Sequence, residues 1–212
     1  SIVSEYRGIY YDQSGKSGRG GKISNNTITG MLKEYGIYSR SNYAHNDTII
    51  NNSIHRTETP ENCCWGTRFI YSEERWGIRD DSLGLIKGNT VLYDDSTGTD
   101  QVWSQTWGIY GYGDKIDSNY VNIYNNHMNC DQFYSIKSHR SHVTRNTLIA
   151  TPNRHCSSQH FVYVDAGSDS ILIQGNALTL NQGGTDTWEY GISTGGGGGN
   201  IYDISNNTIN IN

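Results

Sequence analysis

The acidic residues Glu74, Asp81 and Asp114 are of the type that glycoside hydrolysis requires. That reaction uses two carboxyl groups, about 5–5.5 Å apart for retention of configuration and about 6.5–9.5 Å apart for inversion. One of the two must keep its proton near neutral pH, which requires an apolar or like-charged setting. We therefore predict that Asp81 is catalytic, with Asp114 or Glu74 as its partner.

Aromatic and basic residues occur in the same segments and predict a substrate-binding surface. The predicted substrate-binding residues are Tyr38, Arg40, Arg79, Trp103, Tyr110, Tyr112 and His139. Such side chains stack on sugar rings or hydrogen-bond to them, so the surface suits an oligosaccharide.

Two alternatives to a hydrolase stay open. A lyase would use Tyr112 or His139 as its base, with Arg79 or Arg40 neutralising a uronic carboxylate. A non-catalytic binding module would use the same surface without a carboxyl pair.

A repeated hexamer separates these residues along the chain. "ISNNTI" stands at 23–28 and again at 204–209, and looser copies stand at 49–54, 86–91, 123–128, 143–148 and 173–178. The segment 116–121 also fits, and the sequence does not decide between it and 123–128. Asn or Gly at the third position tolerates positive φ, so each hexamer predicts two short strands joined by a left-handed bend. The fourth-position residues predict an asparagine ladder of Asn26, Asn52, Asn89, Asn126, Asn146, Asn176 and Asn207.

A second motif, such as "YGIYS" at 35–39 and "WGIYG" at 107–111, recurs between the hexamers. Its central residues predict one interior column: Ile9, Ile37, Ile78, Ile109, Ile136, Val164 and Ile192. They are 28, 41, 31, 27, 28 and 28 residues apart by subtraction, and such a period is the signature of a solenoid. Short Ile-, Val- and Tyr-rich runs indicate strands and not helices. The fold prediction is therefore all-β, a parallel β-helix of about seven coils.

Strict alternation along these strands assigns each side chain to a face. The residues two before the central column are predicted to point inward as an aromatic stack: Tyr35, Trp76, Trp107, Tyr134 and Tyr190. Enlarged connections follow three of the hexamers, from Ile54 to Ile78, from Val91 to Ile109 and from Leu148 to Val164. Because they leave the same edge, we predict that these loops wall a groove beside the candidate acids.

The hexamer corners and the period of about 28 residues resemble the right-handed parallel β-helices of the pectate-lyase-like class. The Tyr-, Asn- and Gly-rich composition is most similar to that of bacteriophage tailspike proteins. The resemblance implies endo-glycosidic hydrolysis of a bacterial surface polysaccharide, either O-antigen or capsule. It also implies a homotrimer and a place in the virion tail or outside the cell.

Composition narrows the classes of partner and cofactor that the protein could use. Net charge is −5 and basic residues do not cluster, which disfavours nucleic acid as a partner. No stretch approaches the roughly 20 apolar residues that a membrane span needs, so we expect no membrane insertion. The four cysteines lack CxxC spacing, and we expect no metal and no cofactor. We interpret 1–212 as a single β-helix domain and as a fragment of a longer chain.

Overall fold

The computed structural model describes residues 2–3, 7–13, 21–30, 35–41, 47–56, 68–74, 84–94, 104–125, 130–152, 159–165, 170–181, 189–195 and 201–212. Within these ranges the chain forms strands and turns, with no helix. The strands are short because Asn and Gly bends interrupt runs of Ile, Val and Tyr, which favour extended backbone. In these ranges no helix is long and apolar enough to cross a membrane.

The strands form three parallel sheets of eight, seven and seven strands. Sheet A contains β1 (Ile2–Val3), β4 (Thr27–Gly30), β7 (Ser53–Arg56), β10 (Thr90–Asp94), β13 (Tyr120–Asn125), β16 (Thr147–Pro152), β19 (Ala177–Leu180) and β22 (Thr208–Ile211). Sheet B contains β2 (Arg7–Gln13), β5 (Tyr35–Ser41), β8 (Arg68–Glu74), β11 (Ser104–Tyr112), β14 (Cys130–His139), β17 (Gln159–Asp165) and β20 (Glu189–Gly195). Sheet C contains β3 (Lys22–Ser24), β6 (Thr48–Ile50), β9 (Gly84–Lys87), β12 (Asp114–Asp117), β15 (His142–Thr144), β18 (Ser170–Gln174) and β21 (Ile201–Ser205). The chain runs through sheets B, C and A in turn, which confirms the predicted all-β, right-handed parallel β-helix.

The hexamers form the corner between sheets C and A. Their third residues have φ between 54° and 67°: Asn25, Asn51, Gly88, Ser118, Arg145, Gly175 and Asn206. Their fourth residues form the asparagine ladder, in which each Nδ2 donates to the Oδ1 of the next coil at 2.9–3.0 Å. The same oxygens accept the backbone N–H of the preceding asparagine. These bonds satisfy buried amide groups that would otherwise be costly to desolvate.

The ladder decides between the two alternative hexamers, 116–121 and 123–128. Asn119 accepts from Asn89 and donates to Asn146, and Ser118 adopts the left-handed bend with φ 55°. The segment 116–121 is therefore the corner, and the prediction that Asn126 belongs to the ladder is wrong. The alternative hexamer begins at Ile123, which lies within β13, while Asn126 falls outside the described residues.

The interior column of sheet B differs from the prediction at two positions. Ile70, not Ile78, pairs with the column residues of the coils on both sides; Ile78 itself falls outside the described residues. Val162, not Val164, pairs with the column, and Val164 lies two positions further on, opposite Ser138. In each of these two stretches of sequence a second apolar residue fits the same short motif, so the sequence pattern alone chose the wrong one.

The core is a narrow channel filled from all three sheets. Ile109 of sheet B, Ile116 of sheet C and Val121 of sheet A are all fully buried. Burying one such side chain contributes about 1.5–3 kcal/mol. Because each coil adds only a few of these residues, adjacent coils depend on one another for stability.

Candidate functional site

The outer face of sheet B carries three rows of outward side chains, which we call the aromatic face. The row before the interior column contains Tyr35, Trp107, Tyr134, His160 and Tyr190. The row after the column contains Tyr10, Tyr38, Tyr110, Lys137, Tyr163 and Ser193. The third row, at the end of the strands, contains Tyr112, His139 and Asp165. Parallel pairing in register places equivalent residues about 4.8 Å apart along the axis.

The first row points outward, which corrects the prediction of an internal aromatic stack. Two consecutive positions of β17 face the core instead: Phe161 and Val162 are both buried in it. In the equivalent position of β11, a Cβ added to Gly108 would lie 2.8 Å from Val121 Cγ1, inside the channel. Strict alternation therefore fails at this point, and the preceding residue turns to the surface. Trp76, which was predicted to belong to the same stack, falls outside the described residues.

The rings of neighbouring coils stack on one another along the axis. The ring of His160 lies between those of Tyr134 and Tyr190, 4.9 Å from each, with interplanar angles of 5° and 13°. Tyr10 and Tyr38 stack in the same way at 4.8 Å and 6°. Because the faces cover each other, Tyr134 is 6% exposed whereas Tyr190 is 45% exposed. Between the ends of these stacks the surface presents ring edges and polar atoms, which suit hydrogen bonding more than sugar stacking.

Lys137 introduces a positive charge into the middle of this face. Its Nζ lies 4.4 Å from the ring centre of Trp107 and 4.7 Å from that of Tyr134. Tyr110 packs on the same indole at 5.4 Å and 26°. A cation over aromatic rings is stabilised by about 0.5–1 kcal/mol or more. The ammonium is thus held in a defined place, where an anionic or polar group of a ligand can meet it.

The third row contains an imidazole between an aromatic ring and a carboxylate. The ring of His139 stacks on Tyr112 at 4.6 Å and 25°, and its Nδ1 lies 3.3 Å from Asp165 Oδ2. The corner behind it is fixed by the backbone N–H of Arg140, which donates to the Asp165 carbonyl at 2.7 Å. Both side chains of the pair are partly exposed. An imidazole oriented by a carboxylate can move a proton to or from a bound ligand.

The His160 imidazole also contacts the hydroxyl of Ser193, with 2.5 Å between Nδ1 and Oγ. Burial, and then the charge of Lys137, lower the pKa of His160 below its ordinary value. Burial, and then the charge of Asp165, raise the pKa of Tyr163. At neutral pH the imidazole is therefore uncharged and the phenol keeps its proton as a hydrogen-bond donor.

The structure brings together four of the predicted substrate-binding residues. Tyr38, Tyr110, Tyr112 and His139 all lie on the aromatic face. The backbone of Arg40 lies at the end of β5, opposite Glu73, but its side chain is not described. Arg79 and Trp103 fall outside the described residues.

The predicted catalytic acids are only partly placed. Glu74 ends β8 opposite Ser41, and Asp114 begins β12 opposite Gly84, so both stand beside the corner between sheets B and C. Their side chains are not described, and Asp81 falls outside the described residues. The enlarged loops that were predicted to wall a groove contain 57–67, 95–103 and 153–158, which also fall outside them.

Sequence reasoning left three polar residues of this face out of the predicted site: His160, Tyr163 and Asp165. The cause was the two-residue shift in β17, because centring the motif on Val164 hides their equivalence to residues of the neighbouring coils. The signal was present in "HFVYVD", since centring on Val162 aligns the three with Tyr134, Lys137 and His139.

The described side chains include no cluster of three or more His, Cys, Asp or Glu that could hold a metal ion. In comparisons with known proteins, the sequence matches no protein-family model, no curated protein and no solved structure.

Proposed function

We propose that the aromatic face binds a bacterial surface polysaccharide that lies along the axis of the β-helix. The observation that carries this proposal is the repetition of ring edges, hydroxyls and imidazoles at one-coil intervals. A polysaccharide is a chain of sugar units that carry hydroxyl groups at regular intervals, so it can make the same contact in successive coils. Lys137 and the pair of His139 with Asp165 supply the charged groups that fix its register.

The test measures binding of the protein to an array of purified O-antigens and capsular polysaccharides. Tyr163→Phe removes one hydroxyl but keeps the ring, and Lys137→Ala removes the ammonium. We expect each change to weaken binding about tenfold, which corresponds to about 1.4 kcal/mol. Lys115→Ala, on the exposed surface of sheet C, is the control and should bind as the parent does. Equal binding by parent and both variants contradicts the proposal.

Endo-glycosidic hydrolysis by Asp81 with Asp114 or Glu74 is the reaction we propose for this site, as in a tailspike-like depolymerase. Its support is the position of Glu74 and Asp114 beside one corner, next to the end of the aromatic face. Release of new reducing ends from a bound polysaccharide tests it. Asp81→Asn is expected to abolish the release while binding is retained. If the variant cleaves at the parent rate, Asp81 is not the catalytic acid.

A lyase is the second candidate, and the pair of His139 with Asp165 favours it. In that reaction His139, or Tyr112 stacked on it, removes the proton beside a uronic carboxylate. The electron pair of the broken C–H bond forms a carbon–carbon double bond, and the glycosidic C–O bond breaks, so that the oxygen of the departing sugar takes up a proton and the product is unsaturated. Ultraviolet absorbance of the product distinguishes the lyase from the hydrolase. If the protein binds the polysaccharide but releases no reducing ends and forms no ultraviolet-absorbing product, it is a non-catalytic adhesion module.

We also propose that the protein works as a homotrimer in a virion tail, outside the host cell. The support is the resemblance of its hexamer corners and its amino-acid composition to those of tailspike proteins. Light scattering on the intact protein should give the mass of a trimer, and a stable monomer contradicts the proposal.

A further inference from the structure

Two outward rows of sheet A contain no Asp, Glu, Lys or Arg among the described residues, whereas Asp94 lies in a third row, opposite Tyr124, and its side chain is not described. One outward row contains Thr27, Ser53, Thr90, Tyr120, Thr147, Ala177 and Thr208. The other contains Thr29, His55, Leu92, Asn122, Ile149, Thr179 and Asn210. Charged residues make up 17% of the chain, so a solvent-facing surface of two full rows without them is distinctive.

A groove of about 480 Å³ lies on this face. Its lining includes His55, Leu92, Asn122, Ile149, Thr151 and Asn181. Small-molecule sites typically have volumes of about 300–1,000 Å³. The lining residues come from successive coils, so the groove runs along the axis, as an extended ligand would need.

The lining combines aliphatic side chains with neutral hydrogen-bonding groups. Leu92 and Ile149 flank Asn122 in the same row, one coil on either side. Asn181 Nδ2 donates to Thr151 Oγ1 at 3.2 Å, which fixes the orientation of that amide. Sugars present apolar C–H faces and hydroxyl groups side by side, and this alternation of leucine, amide and isoleucine matches both.

Arg56 lies beneath this face and is buried. It belongs to the inward row of β7, and its guanidinium carbon lies 4.7 Å from the ring centre of Tyr93. Arg56 is 5% exposed. A groove whose described lining offers no exposed cation favours an uncharged ligand over an anionic one.

We infer that the groove of sheet A is a second carbohydrate site, which takes an uncharged stretch of glycan. It is separate from the aromatic face and extends the proposed function, because a second contact on another sheet lets one molecule hold two glycan segments. Binding here depends on shape and neutral hydrogen bonds, and it is therefore insensitive to salt, unlike binding that depends on Lys137.

The experiment uses the full chain and an array that contains both uncharged and anionic bacterial polysaccharides. Leu92→Asp and Ile149→Asp each place a carboxylate in the groove without touching the core. Leu85→Asp makes the same change on the outer face of sheet C and is the matched control. Binding is measured at about 0.05 M and about 0.5 M NaCl, where the screening length differs several-fold. Lys137→Ala reports separately on the aromatic face.

We expect uncharged glycans to bind equally at both salt concentrations, and each groove variant to bind them about tenfold more weakly. Leu85→Asp should bind uncharged glycans as the parent does. The inference is overturned if the array shows no uncharged binder, or if both groove variants bind as the parent does. It is also overturned if Leu92→Asp changes only the oligomeric mass, because the face then contacts a second copy of the chain. If Lys137→Ala is the only variant that loses binding to anionic glycans, that loss bears on the aromatic face of the proposed function and not on the groove of sheet A.

Discussion

Asp117 shows how a single charged residue is accommodated at a corner. Its carboxylate accepts from Arg145 Nε at 2.8 Å and from Arg145 Nη2 at 2.7 Å, and Thr144 Oγ1 donates to it at 2.8 Å. Lys87 Nζ lies 3.4 Å away. This contact also explains why an arginine occupies a bend position that elsewhere holds Asn, Gly or Ser. The cost of φ 54° at Arg145 is offset by a two-point ion pair with a buried carboxylate.

The Asp117 network predicts a loss of stability in acid. Burial acts to raise the pKa of Asp117, but hydrogen bonds from Arg145 and Thr144 outweigh it and lower the pKa from 3.8 to about 2. A lowered pKa stabilises the fold fully above the ordinary value, and this contribution disappears as pH falls through about 2. Between pH 5 and pH 2 the parent should lose on the order of 1–2 kcal/mol more than Asp117→Asn does. Urea unfolding at both pH values measures this, and parallel losses in the two proteins contradict it.

A second prediction at the residue scale concerns the ladder. Asn119→Ala removes the acceptor for both the backbone N–H and the Nδ2 of Asn89, and these groups are buried. An unsatisfied buried group costs about 1–3 kcal/mol, so we expect a loss of about 3 kcal/mol in the free energy of unfolding. Asn210→Ala, on an exposed part of sheet A, is the control. Urea unfolding of the two variants measures this. Equal unfolding midpoints would show that the ladder is not a main source of stability.

At the scale of the strand, the sequence predicted the corners better than the faces. A bend at the third position of a hexamer needs only local tolerance of positive φ, and Asn25, Gly88 and Gly175 reveal it without tertiary context. The facing of Trp107 and Tyr134 depends instead on a local departure from alternation, which pairing with neighbouring coils imposes. Likewise, the register of β8 and β17 is set by stacking on adjacent strands, and no short motif encodes that.

That departure from alternation makes Gly108 a point of close packing. A Cβ there would lie 2.5 Å from the Ser135 carbonyl oxygen and 2.8 Å from Val121 Cγ1. Neither atom can move without shifting the neighbouring coil, so Gly108→Ala should destabilise the protein by about 1–3 kcal/mol. Ser135→Ala changes the equivalent position of the next strand, where a Cβ is already present and the buried hydroxyl has no partner among the described residues. We expect that control to be neutral or slightly stabilising in thermal unfolding. A neutral Gly108→Ala would mean that the strand can flex at this point.

At the scale of the whole molecule, the candidate site is a property of the stack and not of any one coil. The aromatic face exists because equivalent strands place Tyr134, His160 and Tyr190 one above the other. The period of the sequence predicted that equivalent strands stack, but the prediction placed Tyr134 and Tyr190 inside the coil and did not include His160. The catalytic role of Asp81 with Asp114 or Glu74 stays a prediction, because Asp81 lies in the segment 75–83, outside the described residues, and the side chains of the other two acids are not described.

The stack also predicts how stability varies along the axis. Ile109 and Ile136 are fully buried, whereas Ile209 and Ile211, which continue the inward rows of sheet A, are 45% and 63% exposed. In a solenoid each coil is stabilised mainly by its neighbours, so amides of β11 and β14 should open only in the cooperative unfolding of the stack. We expect hydrogen exchange in β11 and β14 to be at least about tenfold slower than in β22. Mass spectrometry of peptides from native-state exchange measures both. Uniform protection from β11 to β22 would show instead that another coil or another copy of the chain covers Ile209 and Ile211.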